Sequence, residues 1–424
     1  MSESNSTPRS DASGPLAGVR VLELSTTVAG PFCGRLLGDF GAEVIKVEPR
    51  VGDEVRSMGR HAQGKSLYAA SILRNKALAA IDLRTPGGQE AVRRLAGVCD
   101  VVVENFRPGR LEQWGLGYEN LAAANPKLVL VRISGYGQDG PNRERPGYGV
   151  IMEAVGGLRH ITGDTDRPPT RMAVSLTDYI TGLYAAFGTV MAVRHAELTG
   201  EGQVIDAALY EGAFSFMEPH VPAYAALGAV AQRAGNHLPN NVPNNLYITG
   251  DEQYLLIAAP AQAPFRRLAE CMGRPDLADD PRFATAAARV ENEGALDDLI
   301  AAWTGSHPLE ALEARLHEAA IPATSILSMA DIFAHPHYRA RGMLAEVSDE
   351  DLGHVTLAAP VPRLTGTPGR IRWAGRAIGA DTRRVLMDIA GYNEAEVAAL
   401  ENDQAVYCGK SSQSANATSA GEQT

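Results

Sequence analysis

Short apolar runs alternate with helix-spaced segments from Val19 to Ile133, and this rhythm constrains the chain more than any other feature. Val19–Leu24 is apolar and stops at Ser25 and Thr26, the pattern of a buried strand. Gly30–Phe40 carries apolar residues at helical spacing, with Gly41 where a C′ glycine belongs. Glu43–Val47 reads as a second strand, and Pro86–Ala96 as a helix with proline in its first turn. Asp100–Val103 and Leu128–Ile133 read as further strands. Repeated strand–helix–strand units build a parallel sheet covered by helices, so the expected class is α/β. Ligands of such sheets gather at the carboxyl ends of the strands.

The later text changes character. Asp178–Glu197 has a helical apolar pattern closed by Gly200, and Val204–Tyr210 reads as a strand. Between about 225 and 330, a short strand (Tyr254–Ala258) and amphipathic helices (Phe265–Met272, Ala295–Trp303, Leu309–Ala319) point to a smaller α+β domain. This divides the chain into 15–224, 225–330 and 331–408, with a last helix at Thr382–Ala390. Segments 1–14 and 409–424 are small and polar and are expected to be disordered.

Composition narrows the function classes. A formal charge of −11 argues against a nucleic-acid partner, which would want a basic face. Cys33, Cys99, Cys271 and Cys408 are scattered without ligand spacing, the usage expected of reduced thiols in a cytoplasm. No apolar run reaches the length of a membrane span, and the first residues carry no secretory h-region, so no membrane association is expected. The ten histidines form no HExxH or HxxxH motif, so no metal site is expected.

Several residues could carry chemistry. Asp178 sits where a helix opens, so its carboxylate either caps the helix or serves as a nucleophile. Gly135, Gly137 and Gly140 in SGYGQDGP either offer free backbone amides to an oxyanion or form an ordinary turn. GNHLPNNVPNN, from Gly235 to Asn245, reads either as a lid or as an interdomain loop. Lys46, Arg50, Arg56, Arg74, Lys76, Arg107 and Arg110 either hold a phosphorylated ligand or are solvated surface. Glu48 closes a second strand as in dinucleotide folds, but the first turn reads STTVAGPFCGR, not GxGxxG, so NAD loses its main support.

Five ordered motifs carry a resemblance: PLAGVRVLELSTTVAGPFCGRLLGDFGAEVIKVE, VCDVVVENFRPGRLEQWGLGYENL, ISGYGQDGP, TDYITGLYAAFGTVMAVRHAELTGEGQVIDAAL and DDPRFATAAARVENEGAL. From about Pro15 to Leu400 the chain resembles the class III CoA-transferases, the family of formyl-CoA transferase and carnitine CoA-transferase. The resemblance implies a Rossmann-like large domain built from both ends of the chain, a smaller domain between them, and two identical subunits interlocked as a homodimer. It implies Asp178 as the nucleophile that forms a covalent aspartyl-CoA thioester. It also implies CoA contacts along Val28, Ala29, Arg74, Asn75, Lys76, Asn105, Phe106, Arg107, Gly135, Tyr136 and Gly137. No permanently bound cofactor is implied, because the CoA thioester is itself a substrate and a free carboxylic acid is its partner.

The TDYITGLYAA and HITG text is most similar to members that use succinyl-CoA with small dicarboxylates, and Arg171 is the residue expected to hold a distal carboxylate. Three positions depart from the family pattern: Gln113 replaces an arginine, Gly149 an acidic residue, and Asp381 a histidine. An α-methylacyl-CoA racemase shares the fold but needs a general-base histidine, and Tyr148 stands in its place. A non-catalytic CoA-binding protein is the remaining alternative, against which the intact Asp178 motif argues.

Overall fold

The computed structural model describes residues 13–409, so the expected tails lie outside it apart from residues 13, 14 and 409. The described residues pack as two compact units. One comprises 13–158, 172–219 and 339–409, and the other 159–171 and 220–338.

The first unit is built on a seven-stranded sheet. Its strands are β1 (Arg20–Glu23), β2 (Glu43–Glu48), β3 (Lys76–Ile81), β4 (Val101–Glu104), β5 (Val129–Ser134), β6 (Val204–Ala208) and β7 (Val406–Tyr407). They lie in the order β7-β3-β2-β1-β4-β5-β6, all parallel except β7, which runs antiparallel to β3. Every residue of β3, β4 and β5 is buried, which explains the continuous apolar runs: a parallel sheet covered on both faces has no solvent side. Alternate side chains feed two cores. Leu22, Ile45, Val102 and Leu130 enter one, and Val21, Val44, Val101 and Val129 the other.

Among the helices of this unit are α1 (Ala29–Asp39), α2 (Pro86–Ala96), α3 (Gly149–Val155), α4 (Leu176–Thr199) and α5 (Glu394–Asn402). Helix α4 packs along α1, and glycine permits the contact: a β-carbon at Gly182 would stand 2.6 Å from the Ala29 carbonyl oxygen. Gly200 ends α4 in the left-handed conformation that closes helices. Contrary to expectation, α4 is long and apolar enough to cross a membrane by length and composition, although 44% of its apolar window is buried in the protein.

Two other expectations are corrected. Strand β3 was not foreseen, because KALAAI is rich in alanine and reads as helix; its neighbours β2 and β7 impose the extended form. Thr382–Ala390 is not one helix but a turn at Thr382–Arg384 followed by a π-helical turn at Val385–Ile389. The true last helix, α5, opens with an Asn393/Glu396 capping box.

The second unit holds a three-stranded antiparallel sheet of Asn244–Ile248, Tyr254–Ala258 and Ala323–Ser325. Helices Gln262–Cys271, Glu293–Thr304 and Leu309–Glu318 complete its core around Leu255, Ile257, Phe265 and Leu296. Arg289 is wholly buried there, donating to the carbonyl oxygens of Val242, Phe283 and Pro260.

Candidate active site

The strand order reverses between β1 and β4, and a parallel sheet opens a crevice at such a point because successive crossovers leave in opposite directions. The loops beyond these two strands are clasped together by Asn105. Its side chain accepts from the Thr26 N–H and donates to the Thr26 carbonyl, both at 2.8 Å. The β1 loop then turns through Thr27, in the left-handed region at φ 70°. The Thr27 N–H donates to Asp53 Oδ1 at 3.0 Å. Burial opposes the Asp53 carboxylate, but Lys46 at 2.9 Å and the N–H groups of Val55 and Thr27 outweigh it and hold its pKa low.

A cavity of about 270 Å³ opens at this crevice. Val28, Ala29 and Asn105 line it, as do Phe106, Arg107 and Gly135. Asp178 lines it too. Ser175 is the N-cap of α4, and Asp178 is the third helical residue, so it is not the cap itself. Its carboxylate nonetheless lies in the first turn, where the positive end of the helix favours negative charge. Beside it, the Tyr68 and Tyr179 hydroxyls are 2.8 Å apart. Burial, the Tyr179 hydroxyl and the charge of Asp178 together push the Tyr68 pKa up, so that phenol stays protonated.

The remaining expected contacts lie elsewhere. Arg74, Asn75 and Lys76 are almost completely buried. Arg74 forms a two-pronged ion pair with Asp39 (3.0 and 2.6 Å), and Asn75 donates to the same carboxylate at 2.7 Å. Lys76 pairs with Glu23 at 2.7 Å. Lys46 is likewise buried, and Arg56 pairs with Glu48, so these cations are neither a ligand cradle nor solvated surface but internal partners of acids. Tyr136 and Gly137 are also outside the cavity lining: Tyr136 packs near the Tyr210 ring, and the Gly137 N–H is spent on Ser134 Oγ at 2.9 Å. The expectation of free amides in this turn therefore fails for Gly137, and for Gln138, whose N–H donates to Asp206 at 2.8 Å.

Of the departing positions, Gln113 accepts from Arg110 at 3.0 Å. Asp381 accepts from the Leu78 N–H of β3 and from Arg376. Arg143, Arg145 and Glu54 line the cavity and were not singled out in the sequence. The signal for the arginines was the RERPG segment just after the glycine turn.

Below the crevice, burial pushes Glu104 up to about 7, although Arg132 and the Phe106 N–H, each at 2.7 Å, pull it down.

Arg171 is exposed and belongs to the second unit. The Gly235–Asn245 stretch is pinned within that unit: Val242 is in its core, and His237 Nδ1 lies 2.9 Å from Glu293. His237, Glu293 and Asp297 form a group that could hold a metal ion, which short-range histidine spacing could not reveal. The group is already knit together, with Tyr247 donating to Asp297 at 2.5 Å and Asn245 at 2.9 Å.

The chain is similar to several known proteins. The sequence profile of CoA-transferase family III matches residues 16–382. A succinyl-CoA–D-citramalate CoA-transferase of Chloroflexus aurantiacus is 48% identical, over 91% of this chain and 97% of its own length. The beta subunit of a succinyl-CoA–L-malate CoA-transferase from the same organism is 39% identical, over 92% and 98%. Among solved structures, a CAIB/BAIF family protein from Brucella suis superposes with a TM-score of 0.80 at 34% identity, covering 89% of this chain and all of that one.

Proposed function

The chain belongs to CoA-transferase family III, and from that premise we propose that it moves CoA from succinyl-CoA to a short dicarboxylic acid through a covalent intermediate on Asp178. The observation that carries the reading is the seat of Asp178: a carboxylate in the first turn of α4, lining the cavity at the topological switch point.

The chemistry follows from a carboxylate and two thioesters. The Asp178 carboxylate attacks the succinyl carbonyl, and the CoA thiolate leaves a mixed anhydride. The thiolate attacks the aspartyl carbonyl, releasing succinate and forming the aspartyl-CoA thioester. The acceptor carboxylate displaces the thiolate again, and the thiolate then attacks the acceptor's acyl carbon and frees Asp178. Protons and electrons balance, since carboxylate and thiolate exchange places twice. Arg107, Arg143 and Arg145 line the cavity and supply cations for the CoA phosphates. Arg171 is the residue assigned to the acceptor's distal carboxylate, in line with relatives named for citramalate and malate. No histidine lines the cavity among the described residues, which disfavours proton shuttling at the acyl α-carbon.

The protein works as an interlocked homodimer in this reading. Leu183, Phe187 and Met191 recur every fourth residue on α4 and are each more than half exposed, a stripe that a second copy would cover. The four cysteines are free thiols, which suits a reducing cytoplasm. Asp178→Ala is expected to abolish transfer with the fold intact, and Arg171→Ala to raise the acceptor KM alone. An active Asp178→Ala enzyme would defeat the mechanism.

A further inference from the structure

Gly149 opens α3, and its bare α-carbon abuts the proposed nucleophile. A β-carbon at this position would overlap Asp178 Oδ2, and would stand 3.0 Å from the Asp178 carboxyl carbon and 2.8 Å from Thr177 Oγ1. The carboxylate thus occupies the space that any side chain at position 149 would need. The two segments are also tied: Thr177, wholly buried, donates its hydroxyl to the Gly149 carbonyl at 2.8 Å. Backbone conformation does not demand glycine here. Gly149 lacks the positive φ seen at Gly137 or Gly200, and it follows Tyr148, which has ordinary extended angles. An alanine at the first helical position would normally be neutral or favourable. The reason for glycine therefore lies in what its missing side chain admits.

We propose that Gly149 is a positioning residue: its absent side chain seats the Asp178 carboxylate in its attacking position, and the Thr177 hydrogen bond holds the two helix starts in register. This rests on Asp178 being the nucleophile and adds how it is aimed.

The test is Gly149→Ala in two backgrounds. In the otherwise wild-type enzyme, kcat should fall about 100-fold, as misplacement of a reacting group by about 1 Å does, while the succinyl-CoA KM stays within about twofold. A folded variant with near-wild-type kcat overturns the proposal. Melting temperature is read in parallel, with and without Asp178→Ala. The loss caused by Gly149→Ala should shrink at least by half once the carboxyl is gone, even if the single variant is too unstable to assay. An equal loss in both backgrounds, or failure to fold in both, overturns the proposal. Hydroxylamine trapping on the wild-type enzyme separates the two ideas. With no adduct at Asp178 the nucleophile reading fails; with an adduct and an unperturbed Gly149→Ala enzyme only the positioning role fails.

Discussion

At the scale of single residues, this protein invests heavily in buried charge. Glu23, Lys46, Arg74, Lys76 and Glu104 are each 1% exposed or less. Burying a charge is tolerable only with a partner, and each of these has one. Glu104 is the least comfortable. Its folded pKa of about 7 lies above the usual 4.5, so the folded state binds its proton more tightly than the unfolded chain does. Its contribution to stability is therefore fully present below pH 4.5 and is lost as pH rises through about 7. Glu104→Gln should flatten the stability profile across that window, measured by urea unfolding at several pH values. An unchanged slope would show that Arg132 keeps the carboxylate ionised throughout.

At the scale of elements, the sequence was most readable where periodicity is local. Strands β1, β2, β4 and β5 and helices α1 and α2 lie within two residues of their expected bounds, because apolar runs and caps are near-neighbour signals. Strand β3 was hidden by its alanines, and the fate of Arg74, Asn75 and Lys76 was hidden with it. No local pattern announces that a cation will be swallowed by a sheet whose acids arrive from residues 23 and 39. The same limit explains why Asp178 could be singled out from its motif while Gly149 could only be noted as an oddity: the contact between them spans two helices. Helix α4 makes this dependence testable. Gly182→Val should wedge it from α1 at the Ala29 carbonyl and cost about 1–3 kcal/mol, as overpacking does. A thermal melt matching wild type would mean that α4 has slack along this contact.

At the scale of the whole molecule, the sheet unit supplies a crevice, the proposed nucleophile and cations, and it leaves an apolar stripe on α4 exposed. If α4 faces a second copy as proposed, Phe187→Asp should place a charge in that stripe and shift sedimentation from the proposed dimer to monomer or aggregate. An unaltered dimer would move the interface elsewhere. The central claim is that Asp178 itself carries CoA in mid-reaction, and rapid-quench mass spectrometry tests it most directly. Wild-type enzyme mixed with succinyl-CoA and no acceptor should yield the peptide containing Asp178 enlarged by CoA less one water. A quenched enzyme with that peptide unmodified, while the same preparation turns over normally, would contradict the account.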